Sequence, residues 1–364
     1  MSTTPAPRLA PISEGLAFTM SLITCSLSFL PRSAQTVLST FFVGGLFGLT
    51  LVPLSLLHGL LYLVKMHYDL PSYSILYSIL LLTYVVFVNI LDSTHMRPLM
   101  KGVLRVPRNV VERRSMMFWM THFDYFPMSI HSSSGLSLSP SKQYVMGVHP
   151  HGIHCWALNL LAFPDSPLDK RFPLVSAGTM TGLAATVIFQ IPVVRELFLI
   201  QGYADARRAV AQKAMENGRN LFICTGGEEE SMRTVVGRDV VVLNKRKGFV
   251  RLAVAHGAAL VPVFGVGISD LYTTYSFLLS FRMWLQKNTG VALPIFHGRF
   301  LSPLPYKVPL KVLVGDPIEI DPTHMPAKGE KPDPKIVDLY HRKYIEQLKE
   351  MHKEHGGGRV LEVL

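Results

Sequence analysis

Charge is scarce in this chain, and cysteine is scarcer. Charged residues make up 17% of its 364 residues, against about a quarter in ordinary soluble domains. Residues 1–91 contain only Arg8, Glu14, Arg32, Lys65 and Asp69 as ionised side chains. No nucleic-acid-binding motif occurs, so the net charge of +11 is not read as a nucleic-acid footprint. The basic excess lies beyond residue 91. It suits an anionic lipid, a phosphorylated substrate or a plain solvated surface. Cys25, Cys155 and Cys224 lie far apart and form no CxxC pair. They imply no disulfide framework and fit a reducing, cytosol-facing catalytic part. Cys155 is read as a small buried hydrophobe rather than a nucleophile. Internal repeats and long low-complexity tracts are missing as well.

What replaces charge is length of apolar chain. Ser33 to Val64 and Leu70 to Leu91 carry no Asp, Glu, Lys or Arg, and each exceeds the roughly 20 residues a spanning helix needs. Only Lys65-Met66-His67-Tyr68-Asp69 separates them, which predicts an antiparallel helical hairpin. Gly44, Gly45, Gly48 and Pro53 permit close packing or a kink in its first arm. Gly15 to Pro31 is a shorter uncharged run, read as an interfacial helix in preference to a signal-peptide core. Arg97, Lys101, Arg105, Arg108, Arg113 and Arg114 follow the hairpin. The positive-inside rule places that basic connector, residues 92–120, in the cytosol. The expected organisation is an N-terminal segment 1–32, a transmembrane hairpin 33–91 and a cytosol-facing catalytic domain 92–364.

Beyond residue 120 the pattern alternates. Val145–Val148, Leu221–Cys224, Leu260–Phe264 and Leu310–Val314 read as strands. Asp205–Asn217, Lys247–His256 and Val337–His355 read as helices, stopped by Gly218, Gly257 and Gly356-Gly357-Gly358. Phe172–Val194 is expected to be a buried or lipid-contacting helix. Strands alternating with helices indicate an α/β layer architecture.

The chemistry concentrates at His149-Pro150-His151-Gly152, directly after an apolar strand. Three readings stand. With His154 the imidazoles give HxHxxH, similar to the metal motif of the metallo-β-lactamase fold, but Ile153 replaces its acidic residue. They could be structural, satisfied by backbone at a tight turn. Or one neutral imidazole is a general base, removing a proton from a hydroxyl that attacks an activated acyl group. A base needs an orienting partner. The HxxxxD acyltransferases supply an Asp five residues after their His; here those places hold His154 and Trp156. The best source is Gly226-Gly227-Glu228-Glu229-Glu230-Ser231, which follows an apolar strand. It is either an active-site loop, with its glycine N–H groups stabilising an oxyanion, or a solvated acidic loop.

This set of motifs resembles the type-2 diacylglycerol acyltransferase family, which includes mono- and diacylglycerol acyltransferases and wax synthases. The histidine corner is joined by Tyr125-Phe126-Pro127, by Pro192, Arg195 and Glu196, and by Gly226, Gly227 and Glu230. Lys247-Gly248-Phe249-Val250-Arg251-Leu252-Ala253 follows, then His256-Gly257-Ala258 and Val261-Pro262-Val263. Gly298-Arg299, Pro305, Val314-Gly315-Asp316-Pro317-Ile318 and then Tyr340, His341, Tyr344 and Leu348 complete the order. The resemblance runs from about residue 120 to 358. The acidity of the glycine loop, and Thr225 before it, depart from the family pattern.

The resemblance implies an acyltransferase-type α/β domain of mixed sheet and surrounding helices, anchored by the hairpin. It implies acyl-CoA-dependent transfer to diacylglycerol, giving triacylglycerol at the endoplasmic reticulum membrane and on lipid droplets. Acyl-CoA is a co-substrate; no metal or other cofactor is required. Some branches of the family replace the first histidine of the corner by glutamate, which favours His151 as base over His149. Glu230 would orient His151 or stabilise its cation. Gly152, Gly226 and Gly227 would shape the site. Lys247 and Arg251 would meet coenzyme A phosphates or serve the surface. The rivals are a monoacylglycerol or wax-ester acyltransferase, a non-catalytic lipid-droplet protein and a metal-dependent hydrolase. Homo-oligomerisation is left open.

Overall fold

The computed structural model describes residues 126–364, except 140, 156–157, 159–160, 162–165, 175–178, 191–194, 196–197, 200–201, 290–291 and 328. The expected interfacial run 15–31, the hairpin 33–91 and the basic connector 92–120 lie outside the described residues, as do Tyr125, Pro192 and Glu196. Among the described residues, no helix is long and apolar enough to cross a membrane.

The elements run in the order β1 (Met128–Ser132), β2 (Tyr144–His149), α1 (Pro167–Arg171), β3 (Met180–Ala184), β4 (Ala204–Asp205), α2 (Arg208–Glu216), β5 (Asn220–Cys224), α3 (Gly227–Arg233), β6 (Arg238–Val241), α4 (Gly248–His256), β7 (Ala259–Val266), β8 (Thr273–Tyr275), α5 (Leu279–Thr289), β9 (Ile295–His297), β10 (Leu310–Val314), α6 (Pro334–His355) and β11 (Val360–Val363). Among the described residues, seven strands form the main sheet, in the order β1-β10-β7-β2-β5-β3-β4. Only the β10–β7 pairing is antiparallel. The fold is therefore mixed α/β, and the alternation of strand and helix patterns in the sequence carries through.

Two cores flank the sheet, as expected for strands that send alternate side chains to opposite faces. On β2, Tyr144, Met146 and Val148 enter one core, whereas Val145 enters the other. That second core is closed by α2, α4 and α6. Val337, Tyr340, His341, Tyr344, Leu348, Met351 and His352 make the buried stripe of α6, spaced as an amphipathic helix requires. Asp333 caps its first turn by accepting from the Lys335 N–H, and Pro334 suits the first helical position.

One expectation is corrected. The apolar stretch 172–194 contains strand β3 and a short 3₁₀ turn, Thr186–Gln190, in place of the expected helix. A strand covered on both faces is apolar throughout, so its sequence shows no period to tell it from a buried helix. The glycine triplet after α6 leads into a further strand: β11 pairs with β6 in a separate two-stranded sheet.

One close approach ties α6 to β2. The Tyr344 hydroxyl lies where a side chain on Gly147 would begin, and it donates to the Gly147 carbonyl at 3.0 Å. Gly147→Ala is expected to push this helix off the sheet and cost about 1–3 kcal/mol, as overpacking does. Chemical unfolding in detergent reads this as a lower midpoint; an unchanged midpoint contradicts the packing.

Candidate active site

Parallel neighbours end on the same edge. β2 and β5 are adjacent and parallel, with Val148 opposite Cys224. The histidine corner leaves β2 beside the Thr225-Gly226-Gly227 turn that leaves β5. Open α/β sheets bind ligands outside the carboxyl ends of their strands. β1 runs opposite to β2, so Phe126 and Pro127 arrive at this same edge. Phe126 is buried in the core there, and the Pro127 carbonyl accepts from the Leu310 N–H at 2.8 Å. Their contacts are those of a fold element.

The two histidines of the corner have different surroundings. The peptide between His149 and Pro150 is cis. His149 is fully buried, and its Nε2 lies 3.0 Å from the Tyr344 hydroxyl. That hydroxyl already donates its hydrogen to Gly147, so toward His149 it accepts. Nε2 therefore carries the proton of this ring. Burial drives the His149 pKa down to about 3, which keeps it neutral. His151 is partly open. Its Nδ1 lies 3.0 Å from the Gly152 carbonyl, which can only accept. Nδ1 is thus protonated, and Nε2 keeps its lone pair. Burial also lowers the His151 pKa, against a smaller opposing pull from the Gly152 carbonyl, so the lone pair is available at neutral pH. Gly152 sits at φ 64°, packed on Ile268.

Glu230 does not reach the imidazole of His151. Its Oε2 accepts from the His151 main-chain N–H at 2.6 Å, and its Oε1 accepts from the Val242 N–H at 2.8 Å. The carboxyl is a buried clamp between the histidine corner and the segment after β6. Burial pushes its pKa up to about 8, and the two N–H donors oppose that shift. The glutamates are helical, not a loop: Glu228, Glu229 and Glu230 fill the first turn of α3, where the helix dipole favours negative charge. Glu229 binds Arg233 and Arg246. Gly226 is needed because any side chain there would collide with the Glu230 carboxyl. Gly227 follows at φ 59°.

The remaining candidates divide. His154 stacks edge-on against Tyr272 and Phe296. Among the described residues, no three His, Cys, Asp or Glu side chains gather as metal ligands. Arg195 is buried. Lys247 pairs with Asp338 at 2.7 Å, at the start of α4. Lys247 and exposed Arg251 line a cavity of about 720 Å³ that also reaches Cys224 and Thr225. The expectation of unpaired thiols is corrected: Cys155 and Cys224 are joined as a disulfide across the histidine corner and the glycine turn. A sequence separation of 69 residues gives no local sign of it.

The family model for diacylglycerol acyltransferase matches residues 74–359. The chain belongs to the diacylglycerol acyltransferase family. Similar relatives include diacylglycerol O-acyltransferase 2 of Bos taurus, 33% identical over 66% of this chain and 68% of that protein. The Homo sapiens protein of that name is 33% identical over 66% of this chain and 63% of its own length, so the match spans less than two thirds of it. The Dictyostelium discoideum protein is 30% identical over 68% of this chain and 76% of that one. Among solved structures, the 1-acyl-sn-glycerophosphate acyltransferase of Thermotoga maritima superposes with a TM-score of 0.40 at 12% identity, over 75% of this chain and 97% of that one.

Within this family member, Tyr344 and Val242 are site residues that motif reasoning passes over. Tyr344 stood in the sequence only as part of a terminal-helix pattern. Val242 contributes a main-chain N–H, which no residue type announces. Glu230→Gln places an amide NH₂ against one of two buried N–H donors. It is expected to cost about 1–3 kcal/mol, read as a lower thermal midpoint. Glu229→Gln, which loses only partly exposed pairs, is expected to cost about 0–1 kcal/mol. Equal midpoints for the two variants contradict the clamp.

Proposed function

We propose that this chain transfers an acyl group from acyl-CoA to the free hydroxyl of diacylglycerol, with His151 as general base. Family membership and relatives named diacylglycerol O-acyltransferase 2 support the activity. The observation that carries the mechanism is the His151 Nδ1–Gly152 carbonyl bond, which leaves Nε2 as the basic nitrogen on the less enclosed ring. Nε2 takes the hydroxyl proton as the alcohol oxygen attacks the thioester carbon. The tetrahedral intermediate then expels the CoA thiolate, which receives that proton from the imidazolium and leaves as the thiol. The products are triacylglycerol and free coenzyme A. No step calls for a metal.

His149, held by Tyr344, fixes the corner. Glu230 fixes the His151 main chain, and we assign the oxyanion to the main chain of the Gly226–Gly227 turn. Both substrates carry acyl chains, whose burial favours binding by roughly 0.8 kcal/mol per CH₂. Residues 33–91 would anchor the enzyme as a membrane hairpin of the endoplasmic reticulum, with 92–364 on the cytosolic side and access to lipid droplets. The apolar runs and the basic residues after them support that placement. Protease protection of residues 92–114 reads the sidedness: cleavage from the cytosolic side is the expected result.

The test supplies the purified protein with labelled acyl-CoA and a panel of alcohols. Triacylglycerol is the expected product. His151→Ala is expected to lower turnover by roughly 10²–10⁴ while the protein stays in the membrane fraction. Unimpaired synthesis by that variant overturns the base assignment.

A further inference from the structure

We propose that the cavity beside the glycine turn seats the phosphorylated nucleotide end of coenzyme A, held by Arg208, Lys245, Arg251 and Lys331. The proposal rests on the acyl-CoA reading above and names the site for one end of that substrate. Its volume of about 720 Å³ lies within the common range for small-molecule sites. The walls come from the carboxyl end of β5, the first turn of α2, the chain before α4 and the loop before α6.

Charge decides what the cavity takes. Among the described residues, six lysines and arginines line it, against Glu330 alone among acidic residues. Two of the six are already matched: Arg246 by Glu229 and Lys247 by Asp338. Arg208, Lys245, Arg251 and Lys331 have no acidic partner among the described residues. Four like charges around one concavity repel one another, and a bound polyanion removes that cost. Coenzyme A brings a 3′-phosphomonoester of nearly two negative charges at neutral pH, plus a diphosphate. Phe249, Leu252 and Ala255 add an apolar wall for a base.

Position agrees with chemistry. Thr225 lines the cavity, and its hydroxyl lies 3.4 Å from His149 Nε2. The cavity is therefore one side chain from the histidine corner, on the same edge of the sheet. The pantetheine arm would run from the cations to the corner and deliver the thioester to His151.

The experiment measures KM and kcat with three thioesters of one fatty acid: acyl-CoA, acyl-3′-dephospho-CoA and acyl-pantetheine. The proteins are the full chain, Arg208→Ala/Lys245→Ala, and Lys213→Ala as a charge control on the exposed side of α2. For acyl-CoA the double variant is expected to raise KM at least tenfold, with kcat within a factor of two. With acyl-pantetheine it should match the unaltered chain, and Lys213→Ala should match it throughout. An equal loss on all three thioesters, or no loss on any, overturns the proposal. So does a defect that appears only on vesicles containing an anionic phospholipid, which assigns the cations to a lipid headgroup. If the unaltered chain transfers from no thioester, the acyl-CoA reading fails by itself. Binding of adenosine 3′,5′-bisphosphate then decides the cavity: tight binding lost in the double variant upholds it, and no binding overturns it.

Discussion

A single buried carboxyl holds together the two segments that carry the chemistry. Glu230 reaches from α3 to the main-chain N–H groups of His151 and Val242, so the turn after β2, the turn after β5 and the chain after β6 share one anchor. Buried N–H groups demand acceptors, and an unmet one costs about 1–3 kcal/mol. The geometry around the carboxyl follows from that demand. Gly226 has no side chain because the carboxyl fills its space. β6, whose end presents Val242, is itself held by β11 and by the buried Asp239, which binds His352 and Arg359. The far end of the chain thus buttresses the corner from which His151 projects.

Hydrogen-bond direction separates the two imidazoles. Each has one nitrogen committed: His149 through a tyrosine that has already given its own hydrogen away, His151 through a carbonyl that has none to give. Burial lowers both pKa values, so both rings are neutral at ordinary pH. Only the ring of His151 is open enough to meet an alcohol. Proximity in sequence, two residues apart, hides this division of labour.

Much of this was legible beforehand. Helices with a clear apolar stripe and a glycine stop, such as those ending at Gly218 and Gly257, match their expected positions within a few residues. β10 spans Leu310–Val314 as expected. The motifs flanking His149 and Gly226 meet because their strands pair, which an α/β pattern with parallel neighbours makes natural. What stayed hidden has physical causes. β3 is covered on both faces and has no period. β4 and β11 are too short to show one. The Cys155–Cys224 bond joins residues with no local relationship. The expected contact of Glu230 with the imidazole became one with the main chain, because sequence names side chains and leaves backbone donors unmarked.

The central claim is that Glu230 acts on the backbone of His151 and not on its ring. The acid limb of kcat/KM against pH tests it most directly, measured for the unaltered chain and for Glu230→Gln. Burial lowers the His151 pKa, so the working neutral base should persist to below pH 6.5 before activity falls. The account predicts the same acid limb in both proteins, below pH 6.5, with a lower plateau in the variant. An acid limb that moves with the substitution would show the carboxyl setting the charge of the ring, and would contradict it.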